Sequence, residues 1–154
     1  MSAIFDHHHR VTAAEIDFLG HANNLCYLSW MQDAALAHSS AQGWPPQRYR
    51  ELGAVWVVRT HAVEYLRPAR VDDELVIRTW VVAIGRIDSV RRYQILRASD
   101  GVRLVQAETR WIWIDIAAER PRRVPAEIRA AFPLAQADGT QSLKSSDPPD
   151  ERSP

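Results

Sequence analysis

Apolar residues crowd the stretch that opens at Asn23 and Asn24 and runs to about residue 41: Leu25, Cys26, Tyr27, Leu28, Trp30, Met31, Ala34, Ala35, Leu36 and Ala37. Asn is a preferred helix N-cap, because its side-chain oxygen satisfies a backbone N–H that the first turn leaves orphaned, so a helix is predicted from there. The apolar positions cover nearly the whole circumference rather than one stripe, which predicts burial on most sides. Past the loop-forming Gly43-Trp44-Pro45-Pro46 and a short helical stretch at 47–52, strand-like runs follow at 55–66, 74–84, 89–98 and 103–116. Turn residues divide them: Arg67-Pro68-Ala69 on to Asp73, then Gly85, then Asp100-Gly101, the last a strong hairpin signal. A shorter strand is predicted at 11–15, and a closing helix at 124–132 with Pro125 near its start.

The longest of these runs would reach about 46 Å if fully extended, too long for a small domain unless it curves. The economical arrangement is α+β: a long curved antiparallel sheet wrapped around one central helix. Composition narrows this further. At 154 residues, with 46% hydrophobic and 25% charged, the chain has room for one domain with a real core. Residues 136–154 are almost devoid of apolar side chains and predict a disordered tail, leaving 1–135 as the folded unit. The tail holds two basic and four acidic residues of the 19 of each sign, so the body keeps 17 basic and 15 acidic, a formal charge of +2. No basic field of the kind that gathers nucleic acid or anionic membrane is present. No apolar run reaches the roughly 18 to 20 residues that span a bilayer, so the expectation is a cytoplasmic protein with no membrane insertion. The single cysteine, Cys26, excludes an internal disulfide and reads as a packed structural thiol.

Candidate chemistry concentrates just before the long helix, in Glu15-Ile16-Asp17-Phe18-Leu19-Gly20-His21-Ala22-Asn23-Asn24. An acid, a glycine turn, a histidine and two amides precede a helix amino terminus, whose free N–H groups and positive dipole end suit a developing oxyanion. A carboxylate beside it can attack a polarised carbonyl or activate water against it. The spacing alone equally fits Asp17 and Asn23 as turn and cap residues and His21 as a packed loop histidine. In Asp6-His7-His8-His9, His7 and His9 would share a strand face, yet three adjacent ligands cannot converge on one ion, and no metal site is assigned. Arg86, Arg91 and Arg92 gather at the predicted hairpin after Gly85, where guanidinium forks could hold phosphate or simply be solvated. Arg59 and His61 fall on one face of the 55–66 strand, and Trp80, Trp111 and Trp113 read as sheet core or as walls of an acyl or aryl pocket.

The pattern Asp17-x-x-Gly20-His21-x-Asn23-Asn24-x-x-Tyr27-Leu28-x-Trp30 resembles the signature of hotdog-fold acyl thioesterases, in the branch of 4-hydroxybenzoyl-CoA thioesterase and the Tol-Pal-associated thioesterases. A second stretch, Val57-Val58-Arg59 and then Val63-Glu64-Tyr65-Leu66-Arg67-Pro68-Ala69-Arg70-Val71-Asp72-Asp73-Glu74-Leu75, resembles the strand and turn that follow the helix in that family. The likeness runs from about His9 to Phe132 and implies the fold derived above. It implies an acyl-CoA thioesterase in which Asp17 is the catalytic carboxylate, as nucleophile or general base, and the Asn24 N–H holds the thioester oxygen. His21 and Asn23 match assisting positions, Gly20 the turn, and Tyr27 and Trp30 packed aromatics of the helix. The resemblance further implies that Arg59 and His61 approach a partner subunit's site and that the chain forms a dimer or tetramer; the phosphate-binding chemistry of arginine forks makes the cluster Arg86, Arg91 and Arg92 a candidate for the nucleotide end of coenzyme A. Coenzyme A would be substrate and leaving group, with no metal or redox cofactor. Three other readings stand beside this one: an acyl-carrier-protein thioesterase, a non-catalytic acyl-binding protein, and a hydroxyacyl thioester dehydratase, for which no Asp-x-Asn-Pro-x-His motif is found.

Overall fold

The computed structural model describes residues 3–136, so the tail predicted at 136–154 lies outside them but for its first residue. In chain order the elements are β1 (Ile4–Arg10), α1 (Asn24–Ala41), α2 (Pro46–Leu52), β2 (Ala54–Tyr65), β3 (Glu74–Ile84), β4 (Asp88–Arg97), β5 (Arg103–Asp115), β6 (Arg120–Pro121) and α3 (Ala126–Ala131). The strands make one antiparallel sheet ordered β1-β3-β4-β5-β2, with the short β6 paired to β5. Register shifts at Val58/Thr60, Val81/Ala83 and Ile95/Leu96 mark irregularities in three long strands. An extra residue at such a point bends a strand and increases its twist, which lets strands of this length curl within a small domain. The long sheet around one helix, expected from the sequence, is the architecture observed.

The helix docks on the β1 and β3 side of the sheet. Tyr27, Trp30, Met31 and Ala34 pack there against Leu75, Ile77, Ile95 and Leu104, all buried. A second cluster of Trp44, Tyr49, Trp113, Ile128 and Phe132 closes the other end, where α2 and α3 cover the sheet. Two expectations are corrected. The helix is not enclosed on most sides: its buried residues lie on one face, while Leu25 is 72% and Leu36 54% exposed. The sheet curls about the docked face, and Leu25 and Leu36 on the other remain exposed among the described residues. The first strand is also not at 11–15 but at Ile4–Arg10, and Ala13–Glu15 forms a single 3-10 turn.

The physical reason for that turn is Glu15. Its Oε1 accepts from the Thr12 N–H at 2.8 Å and the Thr12 hydroxyl at 3.1 Å, closing a capping box that pulls the backbone out of extended geometry. Its carboxylate also accepts from the Trp30 indole N–H at 2.7 Å and from His9 Nε2 at 2.9 Å. The His run therefore belongs to β1, with Phe5, His7 and His9 on its more buried face and Asp6 paired outward to Arg78 at 2.8 Å. Partial burial pushes the Glu15 carboxyl up. The Thr12 N–H, the His9 and Trp30 bonds and the His9 charge outweigh this, and its pKa sits below the ordinary value.

His38, at the far end of α1, is 1% exposed and stacked on Phe5. Burial, then the charge of Arg91, draws its pKa from 6.5 down to about 4. Arg91 Nη1 lies 2.9 Å from His38 Nδ1. Because an arginine only donates, Nδ1 is the acceptor and the proton resides on Nε2.

Two outcomes follow from these buried groups. Glu15→Gln should lower stability by about 1–3 kcal/mol in urea unfolding, because it removes a charged acceptor from partly buried donors. The pKa of His38 is lower folded than unfolded, so the stability tied to its neutral form is complete above pH 6.5 and is lost as pH falls towards about 4. His38→Gln should flatten the pH dependence of stability across that window, as read by unfolding at stepped pH.

Candidate active site at the amino end of α1

A closed loop carries the chain from the 3-10 turn into α1. Ile16 and Ala22 bridge across it, the Asp17 N–H donates to the His21 carbonyl at 2.8 Å, and the Gly20 N–H returns to the Asp17 carbonyl at 3.0 Å. Gly20 sits at φ +77°, a left-handed conformation that costs glycine little and other residues more. The loop is tied down from two directions: Asn23 N–H donates to the Glu15 carbonyl at 2.8 Å and Ala22 N–H to the Ala69 carbonyl at 2.9 Å. Asn23 then caps α1, its Oδ1 accepting from the Leu25 N–H at 2.9 Å. The N–H groups of a helix's first turn have no partner within the helix, and that of Asn24, its first residue, is one of them.

Within the loop, Asp17 Oδ1 accepts from the Leu19 N–H at 2.9 Å and the His21 N–H at 3.3 Å. These two amides fix the carboxylate's orientation. Among the described residues its Oδ2 receives no hydrogen bond, so one oxygen is spent on the turn and the other is available to a reactant. Asp17, His21, Asn23, Asn24 and Tyr27 line one cleft of about 500 Å³, together with Tyr65 and Arg67. Thus the four candidate catalytic residues, Asp17, His21, Asn23 and Asn24, share a site, with Gly20 shaping its loop.

Tyr27 serves as a strut. Its hydroxyl accepts from the Ala69 N–H at 2.9 Å, and its ring meets Trp30 and Tyr65 edge-on. Burial is the main reason its phenol is pushed above the usual value. The Tyr65 hydroxyl donates to the Asn24 carbonyl at 3.2 Å, joining the end of β2 to the helix start. Local pattern does not mark Tyr65 and Arg67 as site residues. They stand in the second family-like stretch, which was the available signal, but forty residues separate them from the helix and only the fold closes that gap. Cys26 is half-buried against the core, its thiol directed to the Glu15 carbonyl at 3.8 Å, and burial raises its pKa, as befits a packed thiol.

The remaining candidates lie elsewhere. Arg59 sits at the β2 bulge and His61 farther along the same edge strand, with His61 Nδ1 2.7 Å from the Thr109 hydroxyl; neither lines the cleft. Burial alone lowers the His61 pKa. The grouping of the three arginines is corrected. Arg86 is exposed in the β3–β4 turn, Arg92 pairs with Glu108 at 3.0 Å, and Arg91 is 6% exposed with its head turned inward. Successive side chains of a strand point to opposite faces, so neighbouring arginines on β4 cannot form one patch. Arg91 is therefore not a surface ligand for a nucleotide.

Residues 2–132 match the family of the acyl-ACP thioesterase N-terminal domain. The acyl-CoA thioester hydrolase YbgC of Escherichia coli is 35% identical over 77 residues, which is 50% of this chain and 57% of that protein. The chain thus spans about half the length of the curated relatives it matches. Among solved structures, a 1,4-dihydroxy-2-naphthoyl-CoA thioesterase from Synechocystis superposes with TM-score 0.77 at 18% identity, over 84% of this chain and 95% of that one. A DHNA-CoA thioesterase from Staphylococcus aureus gives TM-score 0.78 at 22% identity, over 84% and 88%. At such identities the likeness is one of fold.

The cap geometry makes a direct prediction. Asn23→Ala should cost about 1 kcal/mol of stability through loss of the Leu25 bond, and Asn23→Asp should restore most of it. Thermal unfolding of the pair checks this separately from any assay of turnover.

Proposed function

The chain belongs to the acyl-ACP thioesterase N-terminal domain family, and from that premise we propose that it hydrolyses an acyl or aryl thioester at the Asp17 cleft. The observation that carries this reading is the Asp17 carboxylate, held by two turn amides through one oxygen and open at the other, in a cleft shared with the first residues of α1. A thioester carbonyl placed with its oxygen on the Asn24 N–H would meet a fixed donor and the positive end of the helix dipole, both of which favour charge developing on that oxygen. Asp17 then either attacks the carbonyl carbon, forming an anhydride that water opens, or takes a proton from water as that water attacks. Either route consumes one water and yields a carboxylic acid and a thiol. His21 lies in the same cleft, where it can orient water or protonate the departing thiolate.

Coenzyme A is the carrier we favour, as substrate and leaving group, by analogy with the YbgC hydrolase. An acyl carrier protein is the second reading, and the matched family's own description favours it. Neither route calls on a metal or redox cofactor. Self-association is part of the proposal: β2 is a sheet edge carrying the exposed Val57 and Tyr65, and pairing of two such edges would cover it. No helix among the described residues is long and apolar enough to cross a membrane. We place the protein in the cytoplasm, where acyl thioesters are made and used.

Thiol release from short, long and aromatic acyl-CoA thioesters, and from the matching acyl carrier proteins, is the test. Asp17→Asn should lower kcat by about 100- to 10,000-fold, the range for loss of a positioned base, with an unchanged circular dichroism spectrum. A folded Asp17→Asn variant as active as wild type would overturn the mechanism.

A further inference from the structure

A second cavity, of about 520 Å³, lies between the C-terminal half of α1, α2 and the sheet. It shares no lining residue with the Asp17 cleft. From Asn24 to its first lining residue on the helix, Gln32, is about 12 Å along the axis. Its volume is that of a small-molecule pocket, roughly 300–1,000 Å³. Leu36, Trp56, Val81 and Trp111 give it mostly apolar walls.

Among the described residues two charged side chains line this cavity, Arg91 and Arg50, both cations, and no Asp or Glu does. Three other arginines of β3 and β4 have carboxylates: Arg78 has Asp6, Arg92 has Glu108, and Arg97 has Asp73 and Asp100. Arg91, the most buried of them, does not. Its Nη1 donates to His38 Nδ1 at 2.9 Å and to the Thr79 hydroxyl at 3.1 Å, both neutral acceptors. The hydrogen bonds of its guanidinium to the described residues are those of Nη1, and Nε and Nη2 are not among the atoms sealed from solvent without a partner. A guanidinium taken out of water without an anion is costly, and the low dielectric that imposes the cost strengthens its attraction for an anion that enters. The Nε–Nη2 edge matches the two oxygens of a carboxylate.

We propose that this cavity is a binding site for an apolar molecule bearing a carboxylate, with the body along Leu36, Trp56 and Trp111 and the carboxylate on Arg91. The carboxylate has two sources of the same chemistry: the far end of an acyl group whose thioester sits in the Asp17 cleft, or a free carboxylic acid. The first source rests on the function proposed above; the site itself does not.

The test begins with binding, without turnover. Decanoate, decanol and decylamine are titrated into the full chain, with the fluorescence of Trp56 and Trp111 and calorimetry as readouts. Decanoate should bind at least tenfold more tightly than decanol, and decylamine more weakly than either. Arg91→Met should bring decanoate down to the affinity of decanol. Should that variant not fold, Leu36→Glu, at an exposed helix position, sets a carboxylate beside the cavity and should weaken decanoate at least tenfold. Equal binding of decanoate and decanol by wild type, no binding of either, or decanoate affinity unchanged in a folded variant would overturn the site.

The sources separate in a second arm, which compares hydrolysis of decanoyl-CoA with that of the mono-CoA thioester of decanedioic acid. Preference for the latter, lost in Arg91→Met, puts the carboxylate on the acyl group. Selective decanoate binding without that preference makes the ligand a free acid, and both results uphold the site. Selective decanoate binding in a protein inactive on every thioester would sink the proposed hydrolase and leave the site standing.

Discussion

The Glu15 carboxylate takes hydrogen bonds from Thr12, His9 and Trp30, which belong to the turn before α1, to β1 and to α1 itself. Its backbone carbonyl meanwhile receives the N–H of Asn23, the helix cap. One partly buried acid thus sets where the sheet edge, the turn and the helix start stand relative to one another. The rest of the site inherits its geometry from this joint, since Asp17 is two residues further on. A charge in such a place is held only when its acceptor sites are filled, which is why the surrounding donors are so specific.

Two cavities flank α1, and they differ in chemistry. The amino end places the Asn24 N–H, which has no partner within the helix, in one cleft with the Asp17 carboxylate. Towards the other end, aromatic and aliphatic side chains enclose a guanidinium whose protein partners are both neutral. A thioester has the same division, with a polar reacting group and an apolar remainder. The exposed flank of α1, with Leu36 at its middle, borders the second cavity, and the open edge of β2 lies on the same half of the sheet.

Much of the architecture was legible in the sequence because local signals agreed with the global fold. Asn23 caps the helix it was read to cap, Asp100-Gly101 turns the hairpin, and the four long strands fall within a residue or so of their predicted bounds. The misreadings have a common cause. The 11–15 stretch has strand-like composition, but its conformation is decided by where the Glu15 side chain finds donors, on residues fifteen positions away and in another strand. The helix carries apolar residues all round, but how far a sheet curls around it depends on bulges that no local pattern reveals. The arginines of β4 look like a cluster when written in a line and are parted by the alternation of the strand.

The sequence by itself determined the elements, their order, the cap and turn residues, and the presence of an acid, a glycine, a histidine and two amides ahead of a helix. Those are properties of neighbours within a few residues, where covalent spacing fixes geometry. Tertiary structure alone decided that Tyr65 and Arg67 join that cleft, that Glu15 is the joint, and that Arg91 is buried with no carboxylate partner among the described residues. Each of these depends on side chains distant in sequence meeting in a medium of low dielectric, where an unpaired charge or an open oxygen acquires a meaning that its place in the chain does not disclose.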